Sequence, residues 1–560
     1  MRPSSAALLV CLLLSACLLA ITACDRASPP TTAPAPDPAG RRIQADVRQL
    51  ADDRMEGRET GTRGYALASA YVAQRYQQIG LQPAGDDGTF FQHVPLLKAT
   101  RQAQDARLAV VRDGNTIELR FRDQFLPGLN YNAAAHALEA PAVFVGQGVH
   151  APELQHDDFA GLDVRGRIAV LFSGAPARFD NDRRAFHSSS REKMRTIAER
   201  GAVGVVFVNT AEDEARNPWA RSAANWNKPG MRLRGDDSKG LDTFPQLRAT
   251  ASVSAAAADL LFAGSGKTAA QLFKSAQDGT LKGFALPGTI ALAGRTRIEP
   301  AQSRNVVAKL PGSDATLAGE HIVYTAHLDH VGIGAPVNGD AIYNGALDNA
   351  LGVSIMLEAA RELMAASGKP KRSLLFVALT AEEKGLLGAE WFAAHPTVPR
   401  ASLVANLNMD MPVLLAPSRD VVPIGIEHSS LQPLVQLAAK EVGVALSPDP
   451  FPEEVVFVRS DQYAFIRAGI PAVYLDGGVL AAASSAGKAA DASTAPKLAL
   501  RQFLRNCYHQ PCDDVSQPIQ YADAARLARL NARIGTLVGN AAQRPRWNDG
   551  DFFGERFAKP

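Results

Sequence analysis

The stretch Ile322-Val323-Tyr324-Thr325-Ala326-His327-Leu328-Asp329-His330 decides how this chain is read. Its first five residues form an uninterrupted run without polar alternation, the pattern of a strand buried on both faces, and the run stops at a histidine and an acid. Residues 374–379 form a second such run, ending in Thr380-Ala381-Glu382-Glu383-Lys384-Gly385, and residues 403–407 a third, ending in Asn408-Met409-Asp410. Gly345-Ala346-Leu347-Asp348-Asn349 opens an apolar helix that continues through Val353 and Leu357. From Asn305 onward apolar runs alternate with amphipathic helices. That alternation predicts an α/β fold, a mostly parallel mixed sheet with helices on both faces. Ligands of such sheets sit outside the carboxyl ends of the strands, and three strands here deliver acids or a histidine to that edge.

Upstream, Tyr65, Ala68, Val72, Tyr76 and Ile79 recur at helical steps, with Gly80 as a stop. From about residue 140 to 300 the pattern changes to short apolar strands at 142–145, 168–172 and 203–208, with a helix over 193–201 feeding the last. Residues 479–496 are Ala/Ser-rich and read as an exposed loop. No internal repeat is found. At 560 residues, 46% hydrophobic and 21% charged, the chain can bury a sizeable core and is too long for one ordinary domain. Lys plus Arg exceed Asp plus Glu by 59 to 57, and no long basic run exists, so nucleic acid is not an expected partner.

Met1-Arg2, the apolar run over 6–23 and the small residues that end it have the layout of a signal peptide. Ile21-Thr22-Ala23-Cys24 resembles a bacterial lipobox, with Cys24 as the lipidated residue. Residues 28–40, rich in Pro, Ala and Thr, read as a tether. The expected protein is exported, periplasmic or cell-surface, and held to a bacterial membrane through that N-terminal lipid only. Outside this leader the cysteines are Cys507 and Cys512; their spacing allows a disulfide or two free thiols.

Two motifs are decoys. Gly264-Ser265-Gly266-Lys267-Thr268 echoes a phosphate loop but has Leu261 where glycine is needed, and Gly146-Gln147-Gly148-Val149-His150-Ala151 reads as a turn because Pro152 follows. His-Glu-x-x-His and Gly-x-Ser-x-Gly are absent. What remains is a set of His, Asp and Glu without cysteine, which suits zinc, with cobalt or manganese as substitutes. Two histidines and three carboxylates suffice for two metals only if one carboxylate bridges. Adjacent Glu382 and Glu383 cannot easily serve one metal from the same strand end. One is then a ligand, the other a general base.

His327-x-Asp329, Asp348-Asn349, Glu382-Glu383, Asp410 and Tyr508-His509 together resemble metallopeptidase family 28, the co-catalytic dizinc aminopeptidases. The resemblance implies the zinc exopeptidase fold and two Zn2+, with His327 and Asp410 on one, Glu383 and His509 on the other, and Asp348 bridging. It implies Glu382 as the base and Asp329 orienting His327. Met55-Glu56-Gly57-Arg58 and Gly80-Leu81-Gln82-Pro83-Ala84-Gly85 are similar to the family's N-terminal segments, and the middle block resembles its inserted, β-rich protease-associated domain, whose protein partner is open. Ser460-Asp461-Gln462-Tyr463 resembles a segment beside the substrate pocket, giving Ser460 and Tyr463 as pocket candidates; Gln462 and Leu351 depart from the usual histidine and serine.

The implied organisation is a leader over 1–23, a tether over 24–40, a first peptidase segment over 41–135, the protease-associated domain over 136–300, the catalytic block over 301–545 and a tail over 546–560. The implied activity is hydrolysis of N-terminal residues from peptides, a metal-bound hydroxide attacking the scissile carbonyl with help from Glu382. Competing readings are a glutamate carboxypeptidase-like enzyme, for which Arg459 and Arg467 are carboxylate-binding candidates, a glutaminyl cyclase-like acyltransferase, and a non-catalytic receptor-like protein. His330 reads as an outer or loop residue, His136, His150, His156 and His187 as surface, and Trp219, Trp226 and Trp391 as packing residues.

Overall fold

Strand His321–His327 is buried along its whole length because both faces are covered. Ile322, Tyr324 and Ala326 join one apolar cluster with helices Pro38–Leu50, Arg63–Ile79, Gly352–Ala365 and Tyr521–Asn540. Val323, pointing the other way, packs with helices Leu387–Ala394 and Gln462–Arg467. The structure is a computed structural model and describes residues 37–482 and 496–558. The leader, Cys24, most of the tether and much of the Ala/Ser-rich stretch lie outside the described residues. Among the described residues no helix is long and apolar enough to cross a membrane.

Ser373–Leu379 and Leu403–Asn408 flank His321–His327 in parallel, with His327 opposite Leu379 and Thr325 opposite Asn408. Their C-terminal ends therefore open at one edge. Ala472–Asp476 continues the sheet in parallel and Asp420–Ile424 closes on it antiparallel, giving the mixed, mostly parallel sheet that the sequence predicts. On the other side runs Phe284–Leu310, a 27-residue strand paired antiparallel with the 22-residue Phe91–Arg112. One part of Phe284–Leu310 borders Ser373–Leu379, another borders Ala135–Phe144. Parallel strands Ile168–Phe172, Gly204–Val208 and Ala249–Val253 follow, so the inserted half shares a single sixteen-stranded sheet with the catalytic half. The expected boundary at 300/301 falls inside that continuous strand.

The five periodic residues of Arg63–Ile79 are buried, and Gly80, at φ 91°, takes the left-handed cap conformation that favours glycine. Both decoys are turns: the Asp158 carboxylate accepts from the Gln147 and Val149 amides, and Thr268 caps helix Ala269–Gln277. Three expectations are corrected. The tether does not reach Gly40, because Asp37 caps a helix that starts at Pro38. The stretch after 545 is not loose: Trp547 donates to the Gly469 carbonyl and Phe553 is fully buried. His187 is not on the surface but packs among Phe179 and Phe186.

Candidate metal centre

The three parallel strand ends and two loops converge on one carboxylate. His327 ends its strand and places Nε2 3.2 Å from Asp348 Oδ1 and 2.9 Å from Asp410 Oδ1. His509 Nε2 lies 3.1 Å from Asp348 Oδ2 and 3.1 Å from Glu383 Oε2. The two oxygens of Asp348 thus face two different histidines. His330, read as an outer residue, is fully buried with Nδ1 2.8 Å from Glu383 Oε1. The candidate ligand atoms form two groups, His327, Asp348 and Asp410, and His330, Asp348, Glu383 and His509, each within 4.8 Å. The His509 side chain, 29% exposed against 6% or less for Glu383, Asp348 and His327, marks the side open to solvent.

Local structure explains how each group is held. Asp348 follows Gly345, whose φ is 63° and whose absent Cβ would meet the Asp348 carbonyl at 2.1 Å, so only glycine fits the turn. Asp513 fixes the same turn from the far end of the chain, its carboxylate accepting from the Leu347 amide at 2.8 Å and the Asp348 amide at 3.0 Å. Arg58, fully buried, donates to the carbonyls of Leu328, Leu50, Asn344 and Gly345, lacing the loop after His327 to the loop before Asp348. The Tyr474 hydroxyl donates to the Asp410 carbonyl at 2.5 Å. Cys507 and Cys512 are joined by a disulfide, which closes the loop holding His509 at a left-handed φ of 53°.

Asp329 departs from its expected role. His327 Nδ1 lies 3.0 Å from the Asp329 backbone carbonyl, so main chain and not the carboxylate orients the ring. The Asp329 carboxylate instead accepts from the Glu382 amide at 3.1 Å, the Glu383 amide at 3.4 Å and the Thr60 hydroxyl at 2.9 Å. It therefore shapes the turn that separates the two glutamates. Of the two pocket candidates, Tyr463 lies in an apolar cluster with Phe457, Trp547 and Phe553, and Ser460 is buried, its hydroxyl accepting from Asn408 at 2.9 Å. Between them, Asp461 has both carboxylate oxygens buried without a hydrogen-bond partner.

Electrostatics follows from this crowding. Burial alone would raise the Asp348 pKa, but His330, His327 and His509 hold it well below the carboxylate range. Glu383 is likewise lowered against burial, by His509 and His330. Glu382 goes the opposite way: burial raises it, and Glu383, Asp410 and Asp461 add to the rise against His327. Burial pushes Asp329 up to about 6. Two adjacent glutamates with opposite shifts are suited to different tasks. Carboxylates this close and this dry require positive charge among them. Imidazole nitrogens and carboxylate oxygens without thiolate suit zinc, and Glu383 Oε1 and His330 Nδ1, close to each other but outside hydrogen-bond geometry, leave donor capacity for it.

Arg58, Thr60 and Asp513 are not singled out by the residue pattern. Arg58 lies in the Met55-Glu56-Gly57-Arg58 segment noted above, and Asp513 directly follows Cys512, a weak signal that it belongs to the His509 loop.

Residues 305–534 match the sequence profile of peptidase family M28, and residues 136–261 that of the PA domain. Leupeptin-inactivating enzyme 1 of Streptomyces exfoliatus is 29% identical over 213 residues, 38% of this chain and 43% of that protein. A probable zinc metalloprotease of Pyrenophora teres f. teres (strain 0-1) is 35% identical over 114 residues, 20% of this chain and 23% of that protein. The chain thus spans less than half the length of these curated relatives. An aminopeptidase from Aneurinibacillus sp. strain AM-1 has a solved structure that matches with a TM-score of 0.53 and 19% identity, covering 91% of this chain and 98% of that one. At that identity the likeness is one of fold.

Proposed function

Starting from a chain that belongs to peptidase family M28 through residues 305–534 and carries a PA domain ahead of them, we propose that it is a zinc-dependent aminopeptidase that removes N-terminal residues from peptides. One observation carries the reading: Asp348 presents its two oxygens to two separate histidine-carboxylate sets. His327 and Asp410 would hold one Zn2+, Glu383 and His509 a second, with Asp348 shared. When bound, such a pair supplies Lewis-acid polarisation of the carbonyl and acidifies the attacking water.

The chain's own groups handle the protons. Glu382 accepts the proton of the water that attacks the first peptide carbonyl and passes it to the departing amine nitrogen. Its raised proton affinity fits a base that must keep that proton until the amine leaves. Asp329, gripping the backbone of Glu382 and Glu383, keeps base and ligand apart. The free α-ammonium of the substrate is drawn to the carboxylates that crowd the centre, Asp410 beside His327 among them. We place the protein outside the cytoplasm, lipid-anchored at Cys24, on the strength of residues 1–24; intact mass of the mature protein without a lipid increment overturns that placement.

The test is mass-spectrometric mapping of products from peptides with free and with acetylated N-termini. Loss of single N-terminal residues from free peptides only is expected, with Glu382→Gln lowering kcat by about 10²–10⁴-fold while zinc content is kept. Shortened C-termini would instead favour the carboxypeptidase reading, and cyclised N-terminal glutamine the acyltransferase reading. No turnover by zinc-loaded protein would leave a binding protein.

A further inference from the structure

Residues 225–231 belong to the inserted half of the chain, yet they contact the two loops that leave the metal centre. The Lys228 ammonium donates to the Val331 carbonyl at 2.7 Å and to the Ile333 carbonyl, just past His330. Asn225 Oδ1 accepts from the Ala335 amide at 3.3 Å, farther along the same loop. On the second loop Lys384, next to Glu383, donates to the Pro229 carbonyl at 3.3 Å and pairs with Glu59 at 2.8 Å. Strand Gly230–Leu233 then packs Met231 and Leu233 against Ala381 and Leu387, on either side of the Glu382-Glu383 turn.

The segment is anchored independently of these loops. The Trp226 ring meets Phe121 edge-on at 5.2 Å, and its carbonyl accepts from Arg101 at 3.0 Å. Gly230–Leu233 pairs antiparallel with Phe91–Arg112, the strand common to both halves. Behind the site, Arg191 of the insert pairs with Glu390, which Arg467 also holds at 2.9 Å. An ammonium donating to two carbonyls of one loop fixes that loop's path more tightly than apolar contact does.

We propose that segment 225–231 of the inserted domain is a strut that sets the separation of the His330 and Glu383 loops, with Lys228 as its positioning residue. The inserted domain then acts on metal affinity and turnover without supplying a ligand. The inference deepens the peptidase reading, but its readout, metal affinity, does not depend on cleavage.

The experiment uses the full chain loaded with Zn2+ and titrated with a competing chelator, beside thermal unfolding and steady-state kinetics on a free N-terminal peptide. Lys228→Met is expected to weaken zinc binding about tenfold, the lower end for groups that support ligands from outside. It is expected to lower kcat more than it changes KM, with the thermal midpoint of the zinc-free protein unchanged. Lys228→Arg, which keeps a donor on the same carbonyls, is expected to recover most of the loss. Lys239→Met, at an exposed lysine of the same half, is the neutral comparison. Wild-type zinc affinity and kcat in Lys228→Met overturn the proposal. So does a loss that Lys228→Arg does not recover and that tracks a lowered thermal midpoint. Weakened zinc binding in Lys228→Met from a protein that cleaves nothing would uphold the strut while sinking the peptidase reading.

Discussion

In the catalytic half, parallel strands end in His327, in Leu379 just before Glu382, and in Asn408 just before Asp410; in the inserted half they end in Phe172, Val208 and Val253. The backbone arrangement is shared, and both sets are largely buried, with one face of Ala249–Val253 half-exposed at Thr250 and Ser252. What differs is the use of polar groups beyond the last apolar residue. In the insert they go into caps: Ser173 donates to Asp213, which also closes the Thr210 capping box. Three of its histidines each meet one carboxylate, His156 with Asp158 at 3.0 Å, His150 with Asp157 at 3.2 Å and His187 with Glu153 at 3.4 Å. Among the described residues, groups of three or more candidate ligands occur in the catalytic half only. A histidine beside an acid is thus a structural pair in one half and part of a centre in the other, and convergence on a shared carboxylate makes the difference.

The largest effect should come from removing that shared carboxylate. Asp348→Ala is expected to abolish peptide hydrolysis and to lower bound zinc in metal analysis. Retention of full zinc content would break the comparison, since the centre would then not depend on its shared group.

A smaller loss is expected at the loop that presents His509. Cys507→Ser combined with Cys512→Ser removes a short closed loop worth about 2 kcal/mol on the chain-entropy argument, and frees a histidine held at positive φ. Denaturant unfolding should show that loss, and chelator competition a weaker zinc site. Unchanged zinc affinity would mean that packing alone holds the loop.

The insert offers a titration instead of a metal. Burial holds Lys193 down to about 7 from 10.5, with Asp158 and Asp213 opposing. The folded protein therefore takes up this proton only below about pH 7, while the unfolded chain has it below about 10.5. Between these values the unfolded state binds more protons, so stability rises with pH, from pH 7 to 8 by at most about 1.4 kcal/mol. Lys193→Met should flatten this part of the pH–stability curve. A slope that persists in the variant assigns it to other groups.

The smallest effect is expected from His187→Gln and His156→Gln, which should leave zinc content and turnover as they are. A lost equivalent of zinc in either variant would place a further site in the inserted half.

Much of this was legible because strand and helix periodicity are local. Ile322 and Val323 face opposite clusters as alternation requires, and the runs ending at His327, before Glu382 and at Asn408 lie parallel side by side. The packing of the Tyr463 ring with Phe557 and Phe553 was not legible, because those partners lie far along the chain from its segment. Trp547 and Phe553, in a short polar stretch, carry no periodicity that announces a docked end.

The sequence by itself determined the α/β class, the acids and histidines at strand ends, and the zinc-suited chemistry of the set, since each depends on residue type and short spacing. The tertiary structure alone decided the partners. Asp329 turns its carboxylate to the Glu382-Glu383 amides, Arg58 reaches the Leu328 carbonyl across 270 residues, and Asp513 holds the Asp348 amide across 165. Lys228 crosses from one half of the sheet to the loop behind His330. Each of these bonds joins a side chain to a backbone group that any residue carries, so the partner is chosen by the path of the chain and leaves no mark in its local pattern.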